Sequence, residues 1–520
     1  MTSTVSKREF LQTLGAAAGV GAVWRGMEAL GLARPGVASA APPELPPGSG
    51  AGRSVAILGA GIAGMAAAYE LARAGWRCTI LEAAGRAGGR NLTVRAGDTL
   101  EEIGSRQRVR FSQEPHLYAN LGAARIPHHH RTVLSYCKAF GVELEVFTND
   151  NRAALYHDPE RFGGRTVTAR RAVSDIRGYI AEMLAKAVSA ASLDSALTAG
   201  EKKLLVEMLA DYGDLDDGGR YRGSARGGYR GRVNAGLRRG EPEDRLDFAE
   251  LLRSRFWRHG PRTAESLNQN PTLLQPVGGM DAIASAFEAR VGGLIRFGRV
   301  VERIERTGRG VRIVHRAARS GARAALEADF AICTVPAPVL KDIAGDFAPE
   351  TRAAIASAAF GNAVKIAFQT RRRFWEDDLA IYGGISWTGQ DIAQIWYPPY
   401  GYHRDRGVIL GAYIWGRKPG LRFQGMRPEA RLAAAIAQGE RVHPGYADEI
   451  EAGVSRAWGN VPFQLGAWPE ADEAPAALQR PDGAVHFAGD QASALPGWQE
   501  GAVLSAHAAV AAIARRAAGR

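Results

Sequence analysis

The stretch from residue 54 to residue 82 constrains this chain more than any other. Ser54–Leu58 (SVAIL) is a short apolar run that reads as a buried strand. It leads into Gly59-Ala60-Gly61-Ile62-Ala63-Gly64, then a helical pattern, MAAAYELARAG, and a second strand, Arg77–Leu81, ending at Glu82. Strand, GxGxxG, helix, strand and acidic end make the βαβ unit that binds a dinucleotide. The first glycine makes the tight turn, and the second lets a pyrophosphate approach the backbone. The third allows close helix–strand packing, while the helix N-terminus faces the phosphate charge. Glu82 is placed to accept hydrogen bonds from ribose hydroxyls. Arg86-Ala87-Gly88-Gly89-Arg90 follows at once and adds backbone donors and positive charge suited to a pyrophosphate.

A chain of 520 residues has room for two or three domains around this unit. With 46% hydrophobic and 23% charged residues, its composition is that of a globular protein. Lys and Arg number 66 against 54 Asp and Glu, a formal charge of +12. Such an excess suits anionic ligands, nucleic acid or membrane surfaces. The basic residues are scattered, so most of the charge reads as solvated surface. Cys78, Cys137 and Cys333 are odd in number and far apart, which gives neither a disulfide framework nor a metal site.

The N-terminus reads as a targeting segment. Ser6-Lys7-Arg8-Glu9-Phe10-Leu11 precedes an apolar Gly/Ala-rich stretch over residues 14–24, and Ala38-Ser39-Ala40 offers a cleavage site. Residues 1–40 are therefore expected to be an export signal, with a linker at 41–51 and a periplasmic or secreted mature protein. The segment resembles a twin-arginine signal with Lys7 in place of the first arginine. Its apolar stretch is too short for a stable membrane span.

Further motifs follow in order: residues 118–127 (YANLGAARIP), 275–281 (QPVGGMD), 361–375 (GNAVKIAFQTRRRFW), 407–413 (GVILGAY), 487–490 (FAGD) and 497–502 (GWQEGA). Together with RxGGR they resemble the flavin amine oxidase superfamily, and within it the L-amino-acid oxidases, over nearly the whole chain beyond residue 52. The resemblance implies an α/β fold in which a Rossmann-like FAD domain (52–93, 276–358 and 479–520) is interleaved with a mixed-sheet substrate domain (94–165 and 359–478). A helical insert is expected over 166–275.

The same resemblance implies FAD, held noncovalently, since no cysteine lies near Gly466-Ala467-Trp468, where monoamine oxidases tether their flavin. Its contacts would come first from Gly59, Gly61, Ile62, Ala63, Gly64, Glu82 and Arg90. Gly122, Ala123, Ala124 and Arg125 would follow, with Val301 through its backbone at the adenine. The C-terminal block would add Asp490, Gly497, Trp498, Gln499 and Ala502. Arg125 and Tyr413 match the pair that grips a substrate carboxylate, a grip that a guanidinium makes through two parallel hydrogen bonds. Lys365 matches a lysine that holds a water near flavin N5, and Trp498 an aromatic residue facing the flavin. Gly497 would accept from the substrate amine. Trp468 falls at a side-chain-pocket position, which favours large or aromatic substrates. The catalytic candidates are thus Lys365, Arg125, Tyr413 and Trp498.

The implied reaction is oxidative deamination of an L-amino acid by dioxygen and water, and a homodimer is the usual family assembly. Departures from the pattern are Asp490 in place of the usual glutamate and the small pair Ala123-Ala124 before Arg125. No counterpart is found for the histidine that some animal enzymes keep near the substrate. Monoamine or polyamine oxidase, amino-acid 2-monooxygenase, and an exported flavin- or nucleic-acid-binding protein remain as alternatives. Residues 220–239 (RYRGSARGGYRGRVNAGLRR) look like an RNA-binding segment but lie within the folded region, so they are read as a loop of the insert and no nucleic acid is expected. His128-His129-His130 are read as a solvated helix start, because successive helical positions diverge by roughly 100° and cannot share one metal.

Overall fold

The computed structural model describes residues 42–189, 197–231, 237, 240–471 and 474–519. The expected export signal at residues 1–40 lies outside the described residues. Residues 43–520 form a single unit.

Ser54–Leu58 and Arg77–Leu81 form strands, joined by the helix Ile62–Arg73. They pair in parallel, Val55 opposite Cys78 and Leu58 opposite Leu81. Phe330–Cys333 lies on the other side of the first strand, and Val485–Phe487 and Ile295–Arg296 complete a five-stranded sheet. This sheet draws on three well-separated stretches of sequence. Parallel strands buried on both faces read as continuous apolar runs, as SVAIL and FAIC do. The helices Ile62–Arg73 and Gln499–Ala517 pack against each other over this sheet. Met65, Leu71, Val503, Val510 and Ile513 share one apolar core with Val55, Ile57 and Ile80. A four-stranded sheet containing Arg299–Thr307 stands beside it and carries Val301.

A seven-stranded sheet forms the second layer, in which Gln394–Tyr397, Gly407–Ile414, Val364–Thr370 and the edge strand Ile450–Ala457 follow one another in that order. Every residue of Val364–Thr370 is buried, so this sheet is covered on both faces. Between the sheets' contributions, helices Ala169–Ser189, Ala199–Gly213, Phe248–Ser254 and Gly260–Glu265 form a mostly helical stretch. Ala199–Gly213 begins with a full capping box, Thr198 and Glu201 satisfying each other's backbone N–H groups. Among the described residues no helix is long and apolar enough to cross a membrane.

One expectation changes here. The histidine run does not lie on a solvated helix start: the helix begins at Arg131, and His130, its N-cap, is buried against Trp498 with ring centroids 5.1 Å apart. Glu500 supplies the reason. Its carboxylate accepts from the N–H groups of Thr132 (3.0 Å) and Val133 (2.8 Å), which pins this helix start against the C-terminal block. The arginine–glycine stretch, where it is described, is tied into the insert. Arg222 pairs with Asp216, Arg226 with Asp214, and Arg230 with Glu241 and Asp244.

Candidate active site

One cavity of about 390 Å³ runs between the two layers. Every candidate site residue from the sequence lines it except Gly64. Gly64 acts one layer back. A Cβ there would lie 2.0 Å from the Gly59 carbonyl oxygen, so only glycine lets the helix sit this close to the strand. Gly61 is the N-cap of that helix and offers no side chain, so the amides of Ile62, Ala63 and Gly64 have no acceptor within their own helix. A Cβ on Gly61 would meet nothing within 4 Å, and Gly61, Ile62 and Ala63 line the cavity, so this helix start borders it. The helix Gln499–Ala517 also begins at the cavity, with Trp498 as N-cap and no side-chain cap. Two helix N-termini thus border the same cavity, a disposition that attracts phosphate charge.

Glu82 is buried at the end of its strand and accepts from Ala60 N and Ala84 N, both at 2.7 Å. Burial pushes its carboxyl above the ordinary range, while these backbone donors pull it back. Val301 lines the cavity near Glu82 from the neighbouring sheet. The arginines of RxGGR are less free than their sequence suggests. Arg86 donates to carbonyls of its own loop, at Ala87, Asn91 and Gly89. Arg90 pairs with Asp490 and donates to Ala467 O at 2.9 Å. Asp490 also accepts from Gly497 N at 3.0 Å, so its carboxylate ties Arg90 to the C-terminal block and is not an unengaged acceptor. Its short side chain in a buried position makes the nearby guanidinium its natural partner. Gln499 accepts from Asn91 Nδ2 at 2.7 Å.

The other end of the cavity is made of side chains. Lys365 and Tyr413 stand directly opposite each other on antiparallel strands. Such a pair shares one face of the sheet. Lys365 is 4% exposed; its Nζ donates to Gly122 O (2.7 Å) and Asn120 O (3.2 Å) and lies 4.8 Å from the Tyr413 ring centroid. Burial, aided by the Arg125 cation, pulls the Lys365 ammonium down to about 7. Burial raises the Tyr413 phenol, against the pull of Arg125.

Arg125 leaves the 118–127 segment just before Ile126–Pro127, which pairs with Leu273–Pro276. Its Cζ lies 4.9 Å from the Trp396 ring centroid, and its Nε donates to Gln269 Oε1 at 2.8 Å. Neither Nη has a hydrogen-bond or ion-pair partner among the described residues. Burial lowers the guanidinium from its ordinary value, yet an arginine stays charged. Trp468 stands edge-on to Tyr413 at 6.3 Å and closes the same chamber.

Three contributors escaped sequence reading. Trp396 lies close to both Arg125 and Lys365, and its aromatic strand QIWY was the available signal. Trp458 donates to Leu121 O at 2.8 Å and holds the arginine-bearing segment to the sheet. Gln269, in the polar loop SLNQN, had no signal at all. Among the described residues no cysteine or histidine lines the cavity; Cys78, Cys137 and Cys333 are buried elsewhere as free thiols.

Fold and site together define a dinucleotide-binding protein whose nucleotide groove runs on into a buried, cationic, aromatic chamber. The model of the flavin containing amine oxidoreductases matches residues 62–514. The chain is 31% identical over 502 residues to the flavin-dependent L-tryptophan oxidase RebO of Lentzea aerocolonigenes, covering 89% of this chain and 98% of that protein. It is 28% identical over 468 residues to an L-amino-acid oxidase of Siganus canaliculatus, covering 87% and 83%. Among solved structures, cyclohexylamine oxidase from Brevibacterium oxydans IH-35A shares the fold with a TM-score of 0.58 at 18% identity, covering 90% of this chain and 100% of that one. The chain belongs to the family of flavin containing amine oxidoreductases, and FAD is its cofactor. The uncapped helix starts, the open cradle at Gly61 and the acceptor Glu82 fit that cofactor's pyrophosphate and ribose.

Proposed function

We propose that this protein is an L-amino-acid oxidase. An L-amino acid, dioxygen and water give a 2-oxo acid, ammonia and hydrogen peroxide. One observation carries the reading: Arg125 presents an unpaired Nη edge inside a buried chamber, with Tyr413 and Lys365 beside it. An enclosed cation without an anionic protein partner is costly. A substrate carboxylate repays that cost through two parallel hydrogen bonds.

FAD, when bound, would supply the acceptor for the hydride equivalent lost from the substrate α-carbon. The chain's own groups bind and orient. Arg125 holds the carboxylate, Tyr413 adds a phenolic donor, and together they fix which face of the α-carbon is presented. Trp396 and Trp468 wall the chamber and exclude water, and their breadth favours large or aromatic side chains. The L-tryptophan oxidase among the relatives supports the same preference. Lys365, neutral above about pH 7, can hold or accept a proton from the water that hydrolyses the imino-acid product.

The test is anaerobic mixing of the holoenzyme with L-amino acids, their D-forms and the matching decarboxylated amines, reading the loss of flavin absorbance. Bleaching by L-amino acids alone is expected. Bleaching by amines without regard to the carboxylate would move Arg125 to a structural role and make the protein an amine oxidase.

A further inference from the structure

We infer that Gln269 is a positioning residue that keeps Arg125 selective for a substrate carboxylate. The inference rests on the proposed oxidase reading and adds the part of the insert that makes the grip work. Gln269 belongs to the loop between Gly260–Glu265 and Leu273–Pro276, 144 residues away from Arg125 in sequence.

That loop is pinned at several points. Gln269 N donates to Ser266 O at 2.8 Å, and Asn149 Nδ2 donates to Gln269 O at 3.0 Å. The neighbouring Asn268 Oδ1 lies 2.9 Å from His129 Nε2 and 3.2 Å from His130 Nε2, and His130 packs on Trp498. One loop therefore touches both Arg125 and the buttress of the tryptophan at the cavity wall.

The chemistry of the contact decides its consequence. A guanidinium offers five N–H donors in a rigid fork. Gln269 Oε1 takes the one on Nε and leaves the edge formed by the two Nη groups for an incoming carboxylate. A neutral amide orients the fork without cancelling its charge. An acidic residue at the same place would form the ion pair itself, and the cation would be spent inside the protein. Trp396 beneath the guanidinium, at 4.9 Å, completes the support without supplying an anion. Among the described residues Arg125 is thus held by neutral groups, and a ligand lacking a carboxylate leaves its donors unmatched.

The experiment compares wild-type holoenzyme with Gln269→Glu and Gln269→Leu. Benzoate is titrated as the carboxylate probe, read by perturbation of the flavin spectrum, alongside KM, kcat and FAD content. Gln269→Glu should weaken benzoate about a hundredfold, and Gln269→Leu about tenfold, the range set by hydrogen bonds to charged groups. KM for the L-amino acid should rise in parallel, with kcat changed by less than about threefold and FAD content unchanged, the signature of lost uniform binding. Benzoate affinity within about twofold of wild type in both variants, below the effect of any such hydrogen bond, overturns the inference. So does loss of FAD from both, which would make the loop merely structural. A wild-type holoenzyme that ignores benzoate and is bleached by amines instead refutes the oxidase reading, and this inference with it.

Discussion

The two ends of the cavity are made of different material. The nucleotide end is built of backbone: uncapped amides at two helix starts, a cradle at Gly61, and one acidic side chain held by two backbone donors. The substrate end is built of side chains, with Arg125, Lys365, Trp396 and Tyr413 drawn from four separate stretches. A backbone site tolerates exchange of side chains but not an added Cβ at a close approach. A side-chain site behaves the other way round. Damage at one end should therefore cost FAD, and damage at the other should cost turnover.

The largest effect expected is at Arg125. Arg125→Met should lower kcat/KM for L-amino acids roughly a thousandfold, the scale of removing one partner from a desolvated charge pair. FAD content, read from visible absorbance, should not change. Parallel loss of flavin would break the division between the two ends.

Lys365 sharpens the comparison through pH. Its ammonium is pulled down to about 7, so it is mainly charged below that pH and mainly neutral above it. With the neutral amine as the working form, kcat/KM rises as pH passes upward through about 7 and then levels. Lys365→Met should lose about a hundredfold, as for one proton-transfer group. Its pH–rate profile should lack this step.

The smallest effect is at the nucleotide end. The Cβ introduced by Gly64→Ala would lie 2.0 Å from Gly59 O, so the helix must lift from the strand. Overpacking of this kind costs about 2 kcal/mol. It should appear as about thirtyfold weaker FAD binding when apoprotein is titrated with the cofactor. Turnover per bound flavin should stay at the wild-type value, and a fall there would show that the two ends are coupled.

Legibility in the sequence followed the same division. The βαβ unit with its glycines and Glu82 could be read directly, because turn chemistry and apolar periodicity act over neighbouring residues. Arg125, Lys365, Tyr413 and Trp468 were found only through ordered motifs, since nothing local tells a cavity lysine from an exposed one. The histidine run shows what local reading misses. Its three rings look alike in sequence, but Glu500 caps the helix beside them and buries His130 alone against Trp498.

By itself the sequence determined a dinucleotide-binding α/β protein with a family-wide order of motifs. Only the tertiary structure decided that Arg90 is partnered by Asp490, 400 residues further along, and that Gln269 meets Arg125. It also decided that the Lys365 ammonium packs beside both Trp396 and Tyr413. These contacts depend on strand register, as in the pairings of Lys365 with Tyr413 and of Ile126 with Leu274. A shift of one residue turns each side chain to the opposite face, and register is set by the packing of the whole sheet.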